Sequence, residues 1–416
     1  MANVVSVILK NWFGASEPPV KNRLPSPRWS GTAASAWAGS ASPASTRSGG
    51  HRPGPVSIRT PSARWGTQRG VQRRDHFDLE VAGIVDETPS TRTFILKADD
   101  SALLRYRAGQ HVTVQLDIDG LPYRRCYSLS AAPQRDTTDG GTLPITVKRI
   151  DGGRVTTHLF ETLKPGDHLR VGAPAGGFTV VPEADRQRSY LMIAGGVGIT
   201  PIISMIEALL EGEPGSRVTL IYGSRNQGEI IFRERLEKLA QAYPETLTVQ
   251  LAIDQPETGW SGPTGPLTAD RVRDALDPAE TYDAAYLCGP APMMDALIPA
   301  LAEGGIPREA IHTEHFAYAD PTRVTHPTQS YKVRFARSGR SVASKPGEAL
   351  LHTALAAGVD LAYSCQMGGC GQCKVQTSSG SAVMDEPNCL NAAEREAGYI
   401  LTCCAYPSSD LVIADR

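Results

Sequence analysis

Four cysteines near the carboxyl end of the chain constrain its fold and chemistry more than any other feature. Cys365, Cys370 and Cys373 are spaced C-x4-C-x2-C, and Cys403 follows after 29 further residues. This is the ligand spacing of plant-type [2Fe–2S] clusters. Three glycines between Cys365 and Cys373 allow the tight turn that brings closely spaced sulfurs together. We therefore predict a [2Fe–2S] cluster held by these four cysteines.

Two other interpretations of these cysteines stay open on the sequence. A zinc site would favour paired C-x2–4-C knuckles, of which this segment has one, and the third possibility is a set of unrelated free thiols. The remaining four of the eight cysteines are scattered and form no disulfide framework. A cluster held by thiolates suits the reducing cytosol or an organelle matrix, and we expect a cytoplasmic protein that transfers single electrons.

Length and composition indicate several globular domains. A chain of 416 residues predicts two to four domains. An apolar content of 41% with 21% charged residues is typical of soluble globular proteins. The sequence has no apolar stretch near the roughly 18 residues that a transmembrane helix needs, so we expect no transmembrane segment.

The first 76 residues differ in composition from the rest of the chain. They carry eleven Lys/Arg and two Asp/Glu, whereas the remaining residues carry 31 basic and 42 acidic side chains. Residues 14–74 are rich in Ser, Gly, Ala, Pro, Thr and Arg, and such a segment buries too little apolar surface to offset the entropy of ordering. We predict a disordered basic tail over residues 1–75. A transit peptide, or a start site assigned too early, would give the same pattern.

Two different rhythms follow along the chain. From residue 77 to 181, short alternating runs separated by Gly, Pro and Asp predict five or six strands of an antiparallel barrel or sandwich. From residue 186 to 317, apolar strands alternate with helices, which predicts a doubly wound parallel sheet. Residues 318–330 are polar and contain proline, as in a linker, and residues 331–416 begin with a predicted hairpin and a helix ahead of the cysteine loop.

Two motifs in the first region suit a flavin nucleotide. In RCYS (residues 125–128), strand alternation directs Arg125 and Tyr127 to one side and leaves Ser128 next to a ring edge. In GGRVTT (residues 152–157), small residues open a helix whose free N–H groups and dipole suit a phosphate. Each motif alone also has an ordinary explanation, because a strand tyrosine commonly packs against the core and a Gly-Gly pair commonly forms a turn.

Three motifs in the second region suit a nicotinamide nucleotide. GGVGITP (residues 195–201) separates a strand from a helix that we expect Pro201 to open. A Gly-rich turn there admits a dinucleotide, although the motif departs from G-x-G-x-x-G. CGP (residues 288–290) ends a strand at the edge where open parallel sheets bind ligands. EHF (residues 314–316) offers an aromatic side chain that could cover a flavin. A tight turn, a buried packing cysteine and a core aromatic are the ordinary alternatives.

In this order, the five motifs resemble those of the ferredoxin–NADP reductase superfamily. With the cysteine loop at the end, the chain is most similar to members that carry a plant-type ferredoxin fused at the carboxyl terminus, and the resemblance covers residues 77–416. It implies a multidomain protein made of a disordered tail (1–75), an antiparallel β-barrel for FAD (76–183), a doubly wound α/β domain for NAD(P) (186–317), a linker (318–330) and an α+β, β-grasp ferredoxin domain (331–416).

The resemblance also implies roles for single residues. Arg125 and Thr156 would hold the flavin diphosphate, whereas Cys403 would be the fourth cluster ligand, with Cys404 as an alternative. The predicted catalytic residues are Ser128, Cys288 and Thr200. The predicted cofactor-binding residues are Arg125, Tyr127, Ser128, Gly153, Val155, Thr156, Gly196, Gly198, Thr200, Cys288, Gly289 and Phe316.

The resemblance favours FAD over FMN, because GGRVTT does not match the Arg-Gly-Gly-Ser-like motif of FMN-dependent relatives. Members that use NADPH often have a Ser-Arg pair after the third sheet strand, where this chain has Asp254 and Gln255. A carboxylate repels a 2′-phosphate and can accept a hydrogen bond from a ribose hydroxyl, so the sequence favours NADH over NADPH. Arg225 could still serve a phosphate.

The implied activity is electron transfer from NADH through FAD and a [2Fe–2S] cluster to a separate oxygenase, hydroxylase or desaturase. One alternative is a reductase for a cytochrome P450 or a hybrid-cluster protein, and another is a redox sensor whose cluster state controls a partner. The sequence has no Rieske C-x-H pair, no haem motif and no recognisable DNA-binding element. We therefore do not expect the oxygenase itself, or a nucleic-acid partner.

Overall fold

The computed structural model describes most of the chain after residue 75. The described ranges are 76–119, 121–134, 140–276, 280–316, 324–363, 365–386, 388–390 and 392–414. The predicted tail, residues 1–75, lies outside the described residues, and so do residues 317–323, which include the first part of the predicted linker.

The first part of the described chain forms a six-stranded antiparallel sheet. Its strands are β1 (His76–Thr88), β2 (Thr91–Ala98), β3 (His111–Ile118), β4 (Leu121–Ser128), β5 (Gly141–Lys148) and β6 (His168–Gly172), with helices α1 (Ser101–Leu104) and α2 (Arg154–Thr162) between them. The order is β4-β3-β6-β1-β2-β5, and alternate side chains such as Phe94 and Leu96 fill the core. Leu129, just after β4, forms an isolated bridge with Ile145 of β5, so the two end strands of the sheet meet.

The second part forms the predicted parallel sheet. Its strands are β7 (Ser189–Gly195), β8 (Arg217–Ser224), β9 (Leu247–Ile253), β10 (Ala284–Cys288) and β11 (Ile311–Glu314), in the order β11-β10-β7-β8-β9. Its helices are α3 (Ile199–Gly212), α4 (Arg233–Ala242), α5 (Ala269–Ala275) and α6 (Ala291–Glu303). Successive β7 residues pack into two separate cores, Met192 with α3 and Ile193 with α6, so helices cover both faces. The strand order reverses between β7 and β10, which opens a crevice at their carboxyl ends.

The helix after β7 begins earlier than the sequence suggests. We expected it to open at Pro201, but α3 begins at Ile199 and continues directly from a 3-10 turn over Gly196–Gly198. Proline is tolerated within the first turn because its missing N–H has no intrahelical partner there. The glycine turn and the helix are therefore one continuous unit at the crevice.

The third part carries the cysteine loop. Its strands are β12 (Lys332–Phe335), β13 (Ser341–Ala343), β14 (Lys374–Ser379), β15 (Ala382–Met384), β16 (Tyr399–Leu401), β17 (Ala405–Pro407) and β18 (Leu411–Ile413), and its helices are α7 (Leu350–Ala356) and α8 (Ala392–Glu396). Five strands form a sheet in the order β13-β12-β18-β14-β16, and β15 pairs with β17. The β12–β13 pair confirms the predicted hairpin. Among the described helices, none is both long and apolar enough to cross a bilayer.

The described end of the predicted linker is attached to this third part. The His326 ring stacks on Tyr406 with 3.9 Å between ring centroids, and His326 Nε2 lies 2.7 Å from Asp385 Oδ1. The Tyr406 hydroxyl donates to the other oxygen of Asp385 over 2.9 Å. The buried carboxylate of Asp385 thus ties residues 324–330 to the strands that follow the cysteine loop.

A buried carboxylate links the end of the first sheet region to the parallel sheet. The Glu213 side chain, 0% exposed, accepts hydrogen bonds from Arg188 (2.5 Å), Ser216 (2.6 Å) and Tyr190 (3.0 Å), and from the backbone N–H of Glu183 (2.9 Å). Burial alone would raise the pKa of Glu213, but these donors outweigh it and hold the pKa at about 2. The ionised carboxylate therefore stabilises the fold.

We predict that Glu213→Gln lowers the free energy of unfolding by about 2 kcal/mol at pH 7, because Arg188 loses its charged partner. The pKa of Glu213 is lower in the folded than in the unfolded chain, so its contribution is complete above pH 4.5 and is lost as the pH falls towards about 2. Urea unfolding at pH 7 and pH 3 should show the difference between variant and wild type shrinking at the lower pH.

Glu183→Gln is the matched control. The Glu183 carboxylate is 51% exposed and pairs with Arg186 and Arg188 at the surface, so its loss should cost less than about 0.5 kcal/mol. Equal effects of the two substitutions, or a Glu213 effect that does not depend on pH, would contradict this account.

Candidate functional site

The residues predicted for a flavin lie around one cleft of about 610 Å³. They come from β4 and from the loop that opens α2, which are brought together by the antiparallel sheet. The predicted residues that line the cleft are Arg125, Tyr127, Ser128, Gly153, Val155, Thr156, Thr200 and Phe316. Thr200 and Phe316 come from the parallel-sheet region, so the cleft lies where the two regions meet.

One end of this cleft is strongly positive. Arg125, Lys148, Arg149 and Arg154 all line it, next to the N-terminus of α2. Gly153 is the N-cap of α2 and provides no side-chain cap. Lys148 pairs with Glu229 at 2.8 Å and Arg154 pairs with Asp119 at 2.6 Å. Several cations beside a helix N-terminus suit a diphosphate.

The Thr156 hydroxyl holds the loop ahead of α2. It donates to the carbonyl of Gly153 over 3.1 Å and accepts from the backbone N–H of Ile150 over 3.1 Å. A Cβ on Gly153 would approach Thr156 Oγ1 to 2.7 Å and the Ile150 carbonyl to 2.9 Å. Only glycine therefore fits at position 153, and Thr156 shapes the loop from within.

Ser128 belongs to a buried polar group that the sequence analysis did not assemble. The Ser128 hydroxyl donates to Glu314 Oε2 over 3.5 Å, and Glu314 Oε1 lies 3.7 Å from Nδ1 of buried His111. Glu314 is the first residue of the EHF motif, from which we selected only Phe316. Its position as the last residue of β11 gave the one available signal, because a carboxylate at the carboxyl edge of a parallel sheet faces the crevice.

A second cleft of about 790 Å³ lies at the switch point of the parallel sheet. The predicted residues Gly196, Gly198, Gly289 and Phe316 line it. A Cβ on Gly198 would lie 2.1 Å from the Cys288 carbonyl oxygen, so glycine is required there for the turn after β7 to pack against the end of β10. Gly196, at φ +54, has nothing within 4 Å of where its Cβ would be and leaves the cleft open.

The three predicted catalytic residues occupy different positions around the clefts. Ser128 and Thr200 both line the first cleft, and the Thr200 hydroxyl donates to the Val197 carbonyl over 3.0 Å. Cys288 is 0% exposed and lines neither cleft, because its thiol packs in the core under the glycine turn. Burial and the nearby Glu314 carboxylate raise the pKa of Cys288, so the thiol is neutral.

The four predicted cluster cysteines converge. Cys365 and Cys370 line the same small gap, and Cys403 packs in one cluster with Cys373. The backbone N–H of Met367 points at Cys365 Sγ over 3.3 Å, in the manner of N–H donors around iron–sulfur clusters.

The loop backbone explains this convergence. Gln366, Gly368 and Gly371 have φ values of +56, +71 and +68, and this run of left-handed positions turns the closely spaced thiols inwards. The N–H of Gly368 reaches Cys403 Sγ over 3.3 Å and so joins the loop to the distant fourth thiol.

The loop suits a two-iron cluster. A [2Fe–2S] cluster divides four thiolates between two irons and accepts hydrogen bonds at the ligand sulfurs. Backbone N–H groups of Met367 and Gly368 point at two of the four predicted ligand sulfurs.

Three further cysteines surround the predicted ligands. The Cys126 thiol, from β4, lies 3.4 Å from the Thr113 hydroxyl and lines the same small gap as Cys365 and Cys370. Cys404, next to Cys403 in the chain, is buried, and Cys389 Sγ would be 3.6 Å from a Cβ at Gly371. We treated Cys126 only as part of the flavin motif, and nothing in its sequence neighbourhood indicated that it would lie near Cys365, 239 residues further along the chain.

Three family models match the chain. An oxidoreductase FAD-binding domain matches residues 78–180, an oxidoreductase NAD-binding domain matches residues 192–298, and a 2Fe-2S iron-sulfur cluster binding domain matches residues 333–408.

Similarity to known proteins extends over all three regions. The chain is 35% identical to a subunit of the 1,2-phenylacetyl-CoA epoxidase of Escherichia coli (strain K12), covering 81% of this chain and 96% of that protein. The solved structure of phthalate dioxygenase reductase, described as a modular structure for electron transfer from pyridine nucleotides to [2Fe–2S], superposes with a TM-score of 0.52 at 25% identity, covering 82% of this chain and 98% of that one.

A larger solved protein contains the same arrangement. An intact type IV self-sufficient cytochrome P450 monooxygenase superposes with a TM-score of 0.56 at 26% identity over 81% of this chain. The match covers 41% of that protein, so the chain spans about four-tenths of its length.

Together with the fold and the site, these matches identify the family. The chain belongs to the ferredoxin–NADP reductase superfamily, in the group with a carboxyl-terminal plant-type ferredoxin domain. It is an NAD(P)H-dependent electron-transfer oxidoreductase whose cofactors are FAD and a [2Fe–2S] cluster.

We predict that Cys403→Ser abolishes the visible absorbance of the cluster and its iron and sulfide content, because a serine hydroxyl is a poor iron ligand. Cys404→Ser, the adjacent control, should retain at least most of the iron and sulfide. Retention of the cluster in Cys403→Ser with loss in Cys404→Ser would instead identify Cys404 as the fourth ligand.

Proposed function

We propose that the protein carries electrons from NADH, through FAD and the [2Fe–2S] cluster, to a separate oxygenase, hydroxylase or desaturase. The observation that carries this proposal is the contact between β4, which lines the flavin cleft, and the cysteine loop. Arg125 Nη1 lies 3.2 Å from Met367 Sδ, and Cys126 and Cys365 line the same small gap. Flavin and cluster sites are thus adjacent, as single-electron transfer requires.

The cofactors would supply the redox chemistry, and the protein would bind and orient them. When bound, FAD converts the two electrons of a nicotinamide hydride into single electrons that the cluster can take. Arg125, Arg149 and the N–H groups at the start of α2 would hold the diphosphate. Tyr127 lines the cleft and would lie along the ring. Burial raises the pKa of Tyr127 and keeps its hydroxyl neutral.

The ring edge and the nicotinamide would meet where the two clefts join. Ser128, held by Glu314, would place its hydroxyl at the ring edge. Phe316 lines both clefts, so it would cover the ring and move aside for the nicotinamide. Gly196, Gly198, Thr200 and Gly289 would admit the nicotinamide by leaving the crevice open, and buried Cys288 would support the glycine turn from below.

The finer architecture is part of the proposal. We interpret the six antiparallel strands as a β-barrel over residues 76–183, the parallel sheet as a nicotinamide domain over 186–317 and the last sheets as a β-grasp ferredoxin domain over 331–416. The meeting of β4 with β5 supports the barrel, and the matched family models fall inside these bounds. The cluster ligands would be Cys365, Cys370, Cys373 and Cys403. The protein would be located in the cytoplasm.

The partner class rests on the relatives. Their names attach them to epoxidase and dioxygenase systems, which favours a separate oxygenase as the acceptor. The likeness to a self-sufficient cytochrome P450 keeps a P450 acceptor as the second candidate. A sensor of redox state would hold the same cofactors but would not turn over with an acceptor.

We expect anaerobic titration with NADH to bleach the flavin absorbance and to raise the low-temperature EPR signal of the reduced [2Fe–2S] cluster. Added ferricyanide should then be reduced over many turnovers. A protein without flavin, or one whose reduced flavin leaves the cluster oxidised, would contradict the proposed route, and reduction without turnover would favour the sensor.

In this proposal, Asp254 and Arg225 determine whether NADH or NADPH is preferred, because both line the second cleft. We predict that Asp254→Ser raises kcat/KM for NADPH about tenfold relative to NADH, because the carboxylate no longer repels a 2′-phosphate. Asp270→Ser, which removes a carboxylate that is 83% exposed on α5, should leave the ratio unchanged. A wild-type preference for NADPH would overturn the assignment of Asp254.

A further inference from the structure

Lys148 and Glu229 form an ion pair between the two sheet regions. Lys148 Nζ lies 2.8 Å from Glu229 Oε2, and the Ser90 hydroxyl donates to the same oxygen over 2.5 Å. Lys148 ends β5 and Ser90 lies in the turn before β2, whereas Glu229 belongs to the segment between β8 and α4. The pair therefore connects the antiparallel sheet to the parallel one.

This ion pair is charged and largely enclosed. The side chain of Glu229 is 16% exposed and that of Lys148 is 26% exposed. Burial alone would raise the pKa of Glu229, but the hydrogen bonds from Lys148 and Ser90 outweigh it and hold the pKa below its usual value. The carboxylate is therefore ionised at neutral pH and neutralises the lysine.

Lys148 lines both clefts. Among the described residues, Arg225 is the other Lys or Arg side chain that lines the second cleft. The first cleft has further cations that do not line the second, namely Arg125, Arg149 and Arg154. The flavin diphosphate thus has cations of its own, whereas the diphosphate of a nicotinamide nucleotide depends on Lys148 and Arg225.

The two sheet regions are also joined by contacts outside the clefts. The Ser204 hydroxyl donates to the Ala131 carbonyl over 2.6 Å, and Arg235 Nη1 donates to the Ser130 carbonyl over 2.8 Å. None of these four residues lines either cleft. Holding the regions together therefore does not by itself require a carboxylate inside a cleft that is made for phosphates.

We propose that Glu229 limits the affinity for the nicotinamide nucleotide by holding Lys148 as its counter-ion, so that NAD⁺ leaves after hydride transfer. This inference rests on the proposed function. A lysine ammonium is a point charge on a flexible stem, so it can turn from Glu229 to a diphosphate. The diphosphate then competes with the carboxylate for the same ammonium, and separating the ion pair lowers the net affinity. Glu229 is thus a positioning residue that acts through Lys148.

The test is the dissociation constant of NAD⁺ for the oxidised, FAD-containing full-length protein, measured by isothermal titration calorimetry at one ionic strength. Glu229→Gln keeps the shape and removes the charge, so it should lower this constant about fivefold. Lys148→Met should raise the constant about fivefold. Adding Glu229→Gln to Lys148→Met should then change it by less than about twofold, because no ammonium is left to compete for.

Glu280→Gln is the matched control. Glu280 is also a partly buried carboxylate of the parallel-sheet region that accepts from a serine hydroxyl and pairs with a cation. The Ser189 hydroxyl donates to it over 2.9 Å, and Arg217 Nε lies 3.1 Å from the same oxygen. Glu280 lines neither cleft, so its substitution should leave the NAD⁺ constant within about twofold of wild type.

Three results would overturn the inference: an unchanged or higher constant in Glu229→Gln, an equal gain from Glu229→Gln when Lys148 is already Met, or an equal gain in Glu280→Gln. The first would reduce the ion pair to a structural contact, the second would mean direct repulsion of the nucleotide, and the third would mean a general effect of net charge. Binding of NAD⁺ needs no electron transfer. A wild type that binds NAD⁺ but does not pass electrons from NADH to the cluster would therefore count against the proposed function and leave this measurement intact, whereas a wild type that binds neither NAD⁺ nor NADP⁺ would overturn both.

Discussion

The contact between β4 and the cysteine loop is the constraint on which the electron route depends. A strand directs successive side chains to opposite faces. On β4 this period places Cys126 and Ser128 on one face, and both line the small gap that Cys365 and Cys370 also line. All four residues from Arg125 to Ser128 line the flavin cleft. One short strand therefore borders both the cleft and the cysteine loop.

The parallel sheet also forms a site where the ends of neighbouring strands meet. Its strand order reverses between β7 and β10, and the carboxyl ends of both strands open into one crevice. Gly198 lets the turn after β7 pack against the end of β10, since any side chain would meet the Cys288 carbonyl. β11 then carries Glu314 and Phe316 back to the flavin cleft. The end of β11, the edge strand of the parallel sheet, thus completes the lining around the flavin cleft.

Most of the fold could be predicted because its signals are local. Strand and helix periods, the glycine turn after β7 and the hairpin at β12 and β13 all follow from neighbouring residues. The start of α3 differed by two residues, because a 3-10 turn that runs into a helix leaves no trace in hydrophobic periodicity. The burial of the Cys288 thiol also could not be predicted from neighbouring residues in the sequence. A cysteine at the end of a strand can face a ligand or the core, and packing placed its thiol in the core.

The sequence by itself determined the chemistry that the protein can hold. The sequence has four cysteines at cluster spacing and glycine turns directly after strands. The bound cluster and nucleotides require those residue types at those short spacings. Only the tertiary structure decided how those sites meet. Arg125 and Met367 are 242 residues apart in the chain, and their contact depends on the packing of regions that are distant in sequence. Such a contact leaves no periodic signal, because the surfaces that meet are fixed by three-dimensional shape.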